Sequence, residues 1–578
     1  MLMNTEHWPL IVAWILMISF VHCKPRIVSI SDQRQSCESF VYCQGPLLDI
    51  VQRARLFPDS KTFVDMSQTN SPEETFANFN DLMDTTENHP TKEQLVEFIN
   101  RNFLQNSDEL DYWSPEDYTQ NPRILSQIKD KELKKFTGDL INIWPSLGRK
   151  VSEKVFKNPE KYSLIPVPNG FIIPGGRFKE LYYWDSYWII EGLLISDMDK
   201  TAKGMIENLL FMVEKYGFIP NGGRIYYLNR SQPPLLTLMA NIYLEKTKDL
   251  AFIHKNIALL DKELTYWIEK KTIDINFNGN LYRMAHYQSE SNTPRPESYI
   301  EDINTCSYFD TIKSQEHCYQ GLKSGAESGW DFSSRWFFDH EGGIRTNLTH
   351  IDAQRVVPVD LNAFLCVSFA ILSSFYMQLG DAESAQKWAA LFEQWLNSIQ
   401  EVLYNEEDGI WYDFDLTLSR PRKIFYPSNF APLWAGTYNP IFKKEYGRRA
   451  ATYFNRMEIA QFKGGIPTSL DGNNEQWDMP NAWPPLQEIV ILGLWNTGEK
   501  QARKIAKYSA ERWLEANLRG FNEQNAMFEK YDSTRVGQYG GGGEYEVQKG
   551  FGWTNGVALK LIEKFYTFKN KLEKTNLP

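Results

Sequence analysis

The hydrophobic pattern of the chain is helical over most of its length after about residue 200. Apolar residues recur at intervals of three and four positions, which places them on one face of an α-helix. The segments with this spacing are Met205–Val213, Leu235–Leu244, Ile253–Ile268, Phe364–Leu379, Trp388–Leu403, Leu486–Leu494, Ile505–Leu518 and Val557–Phe568. Long runs with the alternating pattern of a β-strand are scarce. The sequence therefore predicts a protein of the all-α class.

The helical segments are joined by loops of very unequal length, a pattern typical of antiparallel helix pairs. A chain of 578 residues has room for roughly two to four average domains, but no Pro- or Ser-rich linker divides the helical region. We therefore predict one large helical domain at 161–570. A polar, turn-rich helical extension at 24–160 packs on this domain, and a short tail follows at 571–578.

Residues 1–23 have the pattern of a secretory signal peptide. An apolar run extends from Trp8 to Val21, and we predict cleavage after Cys23. The alternative is an uncleaved anchor, because Met1–His7 contains no Lys or Arg. A run of about fourteen apolar residues is short for a bilayer span, which needs roughly 20. We therefore expect a secreted protein without stable membrane association.

Removal of Cys23 leaves five cysteines, and four of them form two closely spaced pairs. Cys37 and Cys43 are six positions apart, and Cys306 and Cys318 are twelve apart, in turn-rich surroundings. Such spacing makes them candidates for two local disulfides in an oxidising compartment, although spacing does not fix the connectivity.

Composition excludes some classes of partner and raises one question. The net charge is −11, and the Lys and Arg residues are dispersed, which argues against a surface for nucleic acid or anionic membrane. The aromatic content of 14%, with 18 Trp and 29 Tyr, is high for a globular protein. The aromatic excess therefore needs an explanation.

Part of this excess lies in segment 174–188, which contains two glycines, an arginine, two carboxylates and six aromatic rings. Sugar rings stack their C–H faces on aromatic rings, and their hydroxyls need paired donors and acceptors. The alternative is a glycine turn that leads into an aromatic core helix, since buried aromatic residues are common.

The pair Trp-Asp occurs three times, each time after a turn-forming stretch and shortly before another Trp. The pairs are Trp184-Asp185, Trp330-Asp331 and Trp477-Asp478, and a fourth aromatic turn at 550–553 precedes the last helical segment. If each turn leads into the N-terminus of a helix in a ring of helix pairs, these side chains converge on one end of the ring. The alternative is that each Asp only caps a helix.

The absence of several known sequence motifs restricts the reactions that the protein could catalyse. The sequence contains no zinc-binding, P-loop, dinucleotide or nucleophile-elbow signature, so no metal and no cofactor are expected. The remaining candidates for catalytic groups are the carboxylates in aromatic, Gly-rich loops. Glycoside hydrolysis needs two of them, one as the acid for the leaving oxygen and one as the base or nucleophile.

These motifs resemble those of trehalases, the enzymes of glycoside hydrolase family 37. Segment 174–187 is similar to the first trehalase signature and 476–485 to the second. Further similar segments follow in the same order at 231–234, 295–298, 325–336, 529–532 and 540–545. Residues 43–48 and 57–61 are similar to secreted, soluble trehalases of the insect type. The resemblance covers nearly all of the mature chain.

The resemblance implies an (α/α)6 toroid that hydrolyses α,α-trehalose to two glucose molecules with inversion. It implies Asp331 as the general acid and Glu529 as the general base. The sugar-binding residues that it implies are Arg177, Trp184, Asp185, Asn221, Arg230, Gln232, Arg295, Glu297, Gly329 and Glu544. The residues alone do not distinguish Asp331 from Asp185 or Asp478. Flanking by Trp330 and Phe332 would remove water from Asp331 and keep it protonated near neutral pH.

Two further features bear on this site. Asn347 and Asn229 both begin N-glycosylation acceptor sequences, and we predict a glycan at Asn347 only, since one at Asn229 would crowd Arg230. Residues 540–543 are four successive glycines, which we interpret as a lid that places Glu544 over bound sugar; the alternative is a surface linker.

Two other functions remain open on the sequence. One is an inverting glycosidase of the same fold that acts on maltose or sucrose. The other is a secreted carbohydrate-binding protein that has lost catalysis, although a binding protein would need neither Asp331 nor Glu529. In each case the expected partner is a small sugar, and the protein is expected to be a monomer or a weak dimer.

Overall fold

The computed structural model describes residues 37–105, 108–543, 548 and 550–567. The predicted signal peptide, Glu544 and the tail at 571–578 lie outside the described residues. The α-helices, in chain order, are α1 (Pro46–Arg53), α2 (Ser60–Val64), α3 (Pro72–Thr85), α4 (Lys92–Asn102), α5 (Arg123–Gln127), α6 (Lys131–Ile141), α7 (Trp144–Leu147), α8 (Glu153–Lys157), α9 (Asp185–Ile195), α10 (Asp199–Tyr216), α11 (Leu236–Thr247), α12 (Leu250–Lys270), α13 (Tyr299–Cys306), α14 (Ile312–Glu327), α15 (Val359–Gln378), α16 (Ala382–Ser398), α17 (Ala431–Ala435), α18 (Lys443–Arg456), α19 (Pro484–Asn496), α20 (Lys500–Gln524) and α21 (Gly552–Tyr566).

Six of these helices form a closed inner ring. Helix α9 packs on α11, α11 on α15, α15 on α17, α17 on α19, α19 on α21, and α21 returns to α9. Six further helices pack on this ring: α10 on α9 and α11, α12 on α11 and α15, α16 on α15, α18 on α19, α20 on α19 and α21, and α6 on α21. Six helix pairs around a closed ring form the (α/α)6 toroid, so the predicted fold is confirmed.

The residue composition of the two rings explains their positions. Every residue of α9 is buried, and α15 and α19 are apolar on nearly all sides, as expected of helices enclosed by others. Helix α15 is the one helix of the described chain that is long and apolar enough to cross a membrane. Most of its apolar window is buried inside the protein, which its place in the inner ring explains.

Each helix predicted from periodicity corresponds to an observed helix, and Trp388–Leu403 ends in a π-helical turn at Ile399–Leu403. The predicted bounds pass the observed ones by one residue at Leu235 and at Leu379, and Val557–Phe568 runs beyond Tyr566 to a residue outside the described part of the chain. One prediction about the Trp-Asp turns is wrong. Three of the four aromatic turns lead into helices, namely α9, α19 and α21, but Asp331 follows the end of α14 instead and precedes only a short 3-10 turn at Ser334–Trp336. The polar sequence of α14 gave no periodic signal for this helix.

The strands are short, and all observed pairs are antiparallel. They are β1 (Ser67–Gln68), β2 (Phe103–Leu104), β3 (Leu110–Tyr112), β4 (Gly148–Val151), β5 (Phe171–Ile172), β6 (Thr272–Phe277), β7 (Asn280–Ala285), β8 (Val356–Val357), β9 (Tyr404–Asn405), β10 (Ile410–Trp411), β11 (Phe414–Asp415), β12 (Arg420–Pro421), β13 (Asn481–Ala482) and β14 (Tyr531–Asp532). The β6–β7 hairpin is the longest pair, with Thr272 opposite Ala285. Pairing of β13 with β14 brings two distant loops together beside the ring.

Helices α1 to α4 pack around a smaller hydrophobic core of their own. This core includes Tyr182, Tyr226 and Tyr227 from loops of the toroid, so the segment that precedes the ring supports those loops directly. Cys37 pairs with Cys43 and Cys306 with Cys318. Cys366 is a free thiol buried in α15.

The two inner helices α9 and α21 approach each other through glycines. A Cβ atom at Gly192 would lie 2.8 Å from the Cα atom of Gly556, and one at Gly556 would lie 1.9 Å from the carbonyl oxygen of Trp188. Backbone cannot move aside as a side chain can. The helix spacing at this contact therefore depends on the absence of side chains.

We predict that Gly556→Ala destabilises the fold by about 1–3 kcal/mol, since the added methyl group forces the two backbones apart. Gly138→Ala is the matched control, because a Cβ atom there would meet nothing within 4 Å. That change should be neutral or stabilising, as Ala favours helix by about 1 kcal/mol over Gly. Thermal melting of both variants checks the prediction, and equal melting temperatures would contradict it.

Candidate active site

A cavity lies at the end of the ring where α9, α19 and α21 begin. Its wall includes every predicted site residue that the structure describes, namely Arg177, Trp184, Asp185, Asn221, Arg230, Gln232, Arg295, Glu297, Gly329, Asp331 and Glu529. These residues span more than 350 positions of the chain. Residues from several loops thus meet in one concave site, which is the usual form of a small-molecule site.

Tryptophan rings form one wall of the cavity. Trp477 stacks on Trp483, with ring centroids 3.8 Å apart and planes at 1°. Trp184 lies 5.6 Å from Trp477 and edge-on to Trp553 at 5.9 Å. Because each ring is held by another, this wall is a rigid apolar surface suited to the C–H face of a sugar ring.

Gly329 lies directly against this wall. Its φ of +77° is in the left-handed region that favours glycine, and a Cβ atom there would lie 2.8 Å from the Trp184 ring. Both the backbone conformation and the space therefore require glycine. Gln232 fixes the other side of Trp184, since its Oε1 accepts a hydrogen bond from the Trp184 backbone N–H at 3.1 Å.

Two buried arginines line the cavity, and each has a carboxylate partner. Arg295 donates from Nε and Nη2 to both oxygens of Asp302, at 2.6–3.1 Å. Arg230 donates from Nη2 to Glu297 Oε1 at 2.6 Å. The remaining Nε and Nη1 of Arg230 and Oε2 of Glu297 find no hydrogen-bond partner among the described residues. That unused capacity, one donor group beside one acceptor, suits a pair of sugar hydroxyls.

The backbone of Asp331 is held by the neighbouring loop. Gln476 Nε2 donates to the Asp331 carbonyl oxygen, and the N–H of Trp477 donates to the carbonyl of Phe332 at 3.0 Å. Burial raises the pKa of the Asp331 carboxyl to about 6, against the opposing charges of Arg295 and Arg230. Asp331 can therefore carry a proton close to neutral pH.

The three Asp residues of the Trp-Asp pairs differ in position. Asp185 lines the same cavity, where burial and the nearby charges of Glu529 and Asp331 raise its pKa well above its ordinary value. Asp478 is absent from the cavity wall; it accepts hydrogen bonds from the backbone N–H and the hydroxyl of Ser334 at 2.6 and 2.8 Å. Asp478 thus holds the loop that follows Asp331.

Glu529 is also buried. It lies far from Asp331 in the sequence, but it acts on the same neighbouring charged groups. Both carboxylates act electrostatically on Asp185 and on Lys530. The Glu529 carbonyl accepts a hydrogen bond from the Trp553 indole N–H at 3.0 Å. The start of α21 therefore fixes Glu529, as α9 fixes Asp185.

Sequence reasoning missed some wall residues. Asp59 and Lys61 come from the extension before the ring, and Asp59 lies 3.2 Å from the guanidinium of Arg177. The similarity of segment 57–61 to insect-type trehalases was the only signal that pointed to it. Among the described residues, no group of three or more His, Cys, Asp or Glu side chains is placed to hold a metal ion.

The comparisons with known proteins agree on one family. The family model described as Trehalase matches residues 55–566. A trehalase of Tenebrio molitor is 50% identical over 557 residues, which is 96% of this chain and 100% of the relative. Trehalases of Bombyx mori and Homo sapiens are 46% and 44% identical; each alignment covers 92% of this chain, and 92% and 90% of the relatives.

A solved structure supports the fold. Neutral trehalase Nth1 from Saccharomyces cerevisiae superimposes with a TM-score of 0.55 at 22% identity, over 71% of this chain and 76% of that chain.

We predict that Asp331→Asn becomes more stable relative to the wild type as pH rises. The folded pKa of about 6 lies above the ordinary 3.8, so protonation favours the folded state, and the wild type loses stability between about pH 4 and pH 6. The amide does not ionise and avoids this loss, by about 1–3 kcal/mol above pH 6. Melting temperatures at pH 4, 5, 6 and 7 test this, with the exposed Asp81→Asn as the control. A difference that stays constant with pH would contradict it.

Proposed function

Because the chain belongs to the trehalase family, we propose that this glycoside hydrolase converts α,α-trehalose to two glucose molecules with inversion. Asp331 acts as the general acid and Glu529 as the general base. The observation that carries the proposal is the convergence of these two carboxyl groups in one aromatic cavity, with the pKa of Asp331 raised to about 6.

The two carboxyl groups divide the chemistry between them. Asp331 transfers its proton to the glycosidic oxygen as the bond from that oxygen to the anomeric carbon breaks. Glu529, as carboxylate, accepts a proton from the water that forms the new bond to the same carbon from the opposite face. The attacked ring leaves as β-glucose and the other ring as α-glucose. Inversion requires space for this water between the two carboxyl groups.

The charge distribution of the cavity favours a neutral sugar. Arg230 is paired with Glu297, Arg295 with Asp302, and Arg177 lies beside Asp59. Since each cationic group has its own anionic partner, the wall does not demand an ionic ligand. Its guanidinium and carboxyl edges offer paired donors and acceptors to vicinal hydroxyls.

We also propose that the enzyme is secreted after cleavage of residues 1–23. Two disulfides are typical of proteins that fold in an oxidising compartment, and both candidate pairs are bonded. Asn347 is exposed, which a glycosylation site requires. Glu544 remains a predicted sugar contact.

The substrate and the stereochemistry are tested together. Purified protein is incubated with trehalose, maltose and sucrose, and NMR follows the glucose anomer released first. We expect cleavage of trehalose to equal amounts of α- and β-glucose. Preferred cleavage of maltose or sucrose would favour a different glycosidase, and cleavage of no sugar would favour a binding protein.

We predict that Asp331→Asn and Glu529→Gln each reduce kcat on trehalose by roughly 10²–10⁴-fold or more, since general acid–base groups contribute about that much. Asp81→Asn is the control, because Asp81 is exposed and is not part of the cavity wall. That variant should keep the wild-type kcat. Wild-type activity in the Asp331 or the Glu529 variant would contradict the assignment.

A further inference from the structure

Lys530 is a fully buried cation next to Glu529 in the chain, and the proposed mechanism gives it no role. Its Nζ donates a hydrogen bond to Gln476 Oε1 at 2.9 Å and lies 5.0 Å from the centre of the Trp483 ring. Burying an ammonium group is costly unless its neighbours compensate. The burial of Lys530 beside the proposed base therefore needs an explanation.

The other end of Gln476 contacts the proposed acid. While its Oε1 accepts from Lys530, its Nε2 donates to the Asp331 carbonyl oxygen. The Gln476 backbone is itself held, since its carbonyl accepts from the Trp483 indole N–H at 2.8 Å and from Asn481 Nδ2 at 3.0 Å. A continuous path of two hydrogen bonds thus links the residue after Glu529 to the backbone of Asp331.

The β13–β14 pair keeps the two ends of this path in register. Ala482 lies opposite Tyr531, directly after Lys530 in the chain, and Asn481 lies opposite Asp532. The glycine run attaches to the same place, because the N–H of Gly540 donates to the Lys530 carbonyl at 3.1 Å. Two loops that contribute to the cavity wall, and the glycine run, therefore meet at Lys530.

The charge of Lys530 acts on both carboxyl groups. Among the described residues, Glu529 and Asp331 are the charged groups that raise the pKa of Lys530, while burial lowers it to about 8. The interaction is mutual, so the ammonium favours the ionised form of each carboxyl group. The charge is present at acid and neutral pH and is lost above about pH 8.

We propose that Lys530 is a positioning residue, which through Gln476 holds Asp331 in register with Glu529 and supplies one positive charge to both carboxyl groups. This inference rests on the proposed acid and base roles. It predicts an effect on the rate and on its pH dependence together, which a purely structural lysine would not produce.

The test is the pH profile of kcat/KM for trehalose between pH 4 and pH 7.5, where Lys530 is charged. For Lys530→Met we expect kcat to fall about 10–100-fold with little change in KM. Without the ammonium, the acid limb of the profile, set by Glu529, and the alkaline limb, set by Asp331, should both move to higher pH. The alkaline limb should move less, because Arg295, Arg230 and Glu297 are the larger charges on Asp331.

Three variants separate charge from position. Lys530→Arg keeps the charge, so both limbs should return to the wild-type pH, although part of the rate loss remains because the guanidinium has a different shape. Gln476→Leu keeps Lys530 but releases Asp331, so kcat should fall without a shift of the limbs. Lys530→Gln removes the charge but keeps a hydrogen-bond donor, and it replaces Lys530→Met if that variant does not fold.

Lys560→Met is the matched control for the loss of a buried lysine. Lys560 pairs with Glu191 at 2.5 Å among inner-ring residues that line a different cavity, so its loss should lower the melting temperature without moving either limb. Unmoved limbs in the neutral Lys530 variant would overturn the proposal. A wild type that fails to cleave trehalose would instead overturn the proposed function.

Discussion

The glycine contact between α9 and α21 is the constraint on which the site depends. Gly556 lets the backbone of α21 touch the carbonyl of Trp188, a contact that a methyl group would block. Helix α9 begins at Asp185, and α21 begins one residue before Trp553, whose indole holds Glu529. The width of the cavity between these two helix starts is therefore set by a backbone contact inside the ring. Rigid support of this kind is what a catalytic site needs to keep its groups in place.

The second constraint is the cost of burying charge. Arg230, Arg295, Glu297 and Asp302 are at least nine-tenths buried, and a buried pair rarely stabilises a fold more than apolar residues of the same size. The pairs are therefore better explained by recognition than by stability. Each partner holds one edge of a guanidinium, and Arg230 retains donors that the described protein does not use. The same burial that makes these pairs costly raises the pKa of Asp331.

Periodicity predicted the helices that pack on one side or are long and apolar, but it missed the polar α14 that leads to Asp331. The residues that the family motifs imply meet in one cavity, although local sequence patterns could not choose among them. Gln476 and Lys530 escaped as a pair, since their contact joins positions 54 apart that only the β13–β14 pairing brings together. Asp59 was missed because the similarity of segment 57–61 to insect-type trehalases gave that residue no role. Contacts of this kind depend on tertiary packing, which no local pattern records.

The Trp-Asp pairs, which are indistinguishable in sequence, become distinct through the charges around them. Burial raises the pKa of both Asp185 and Asp331, to about 6 at Asp331 and well above the ordinary value at Asp185. At Asp331 the positive charges of Arg295 and Arg230 oppose the effect of burial, whereas at Asp185 the negative charges of Glu529 and Asp331 add to it. Asp331 is thus the residue whose pKa lies close to neutral pH, where a general acid can both hold and release a proton.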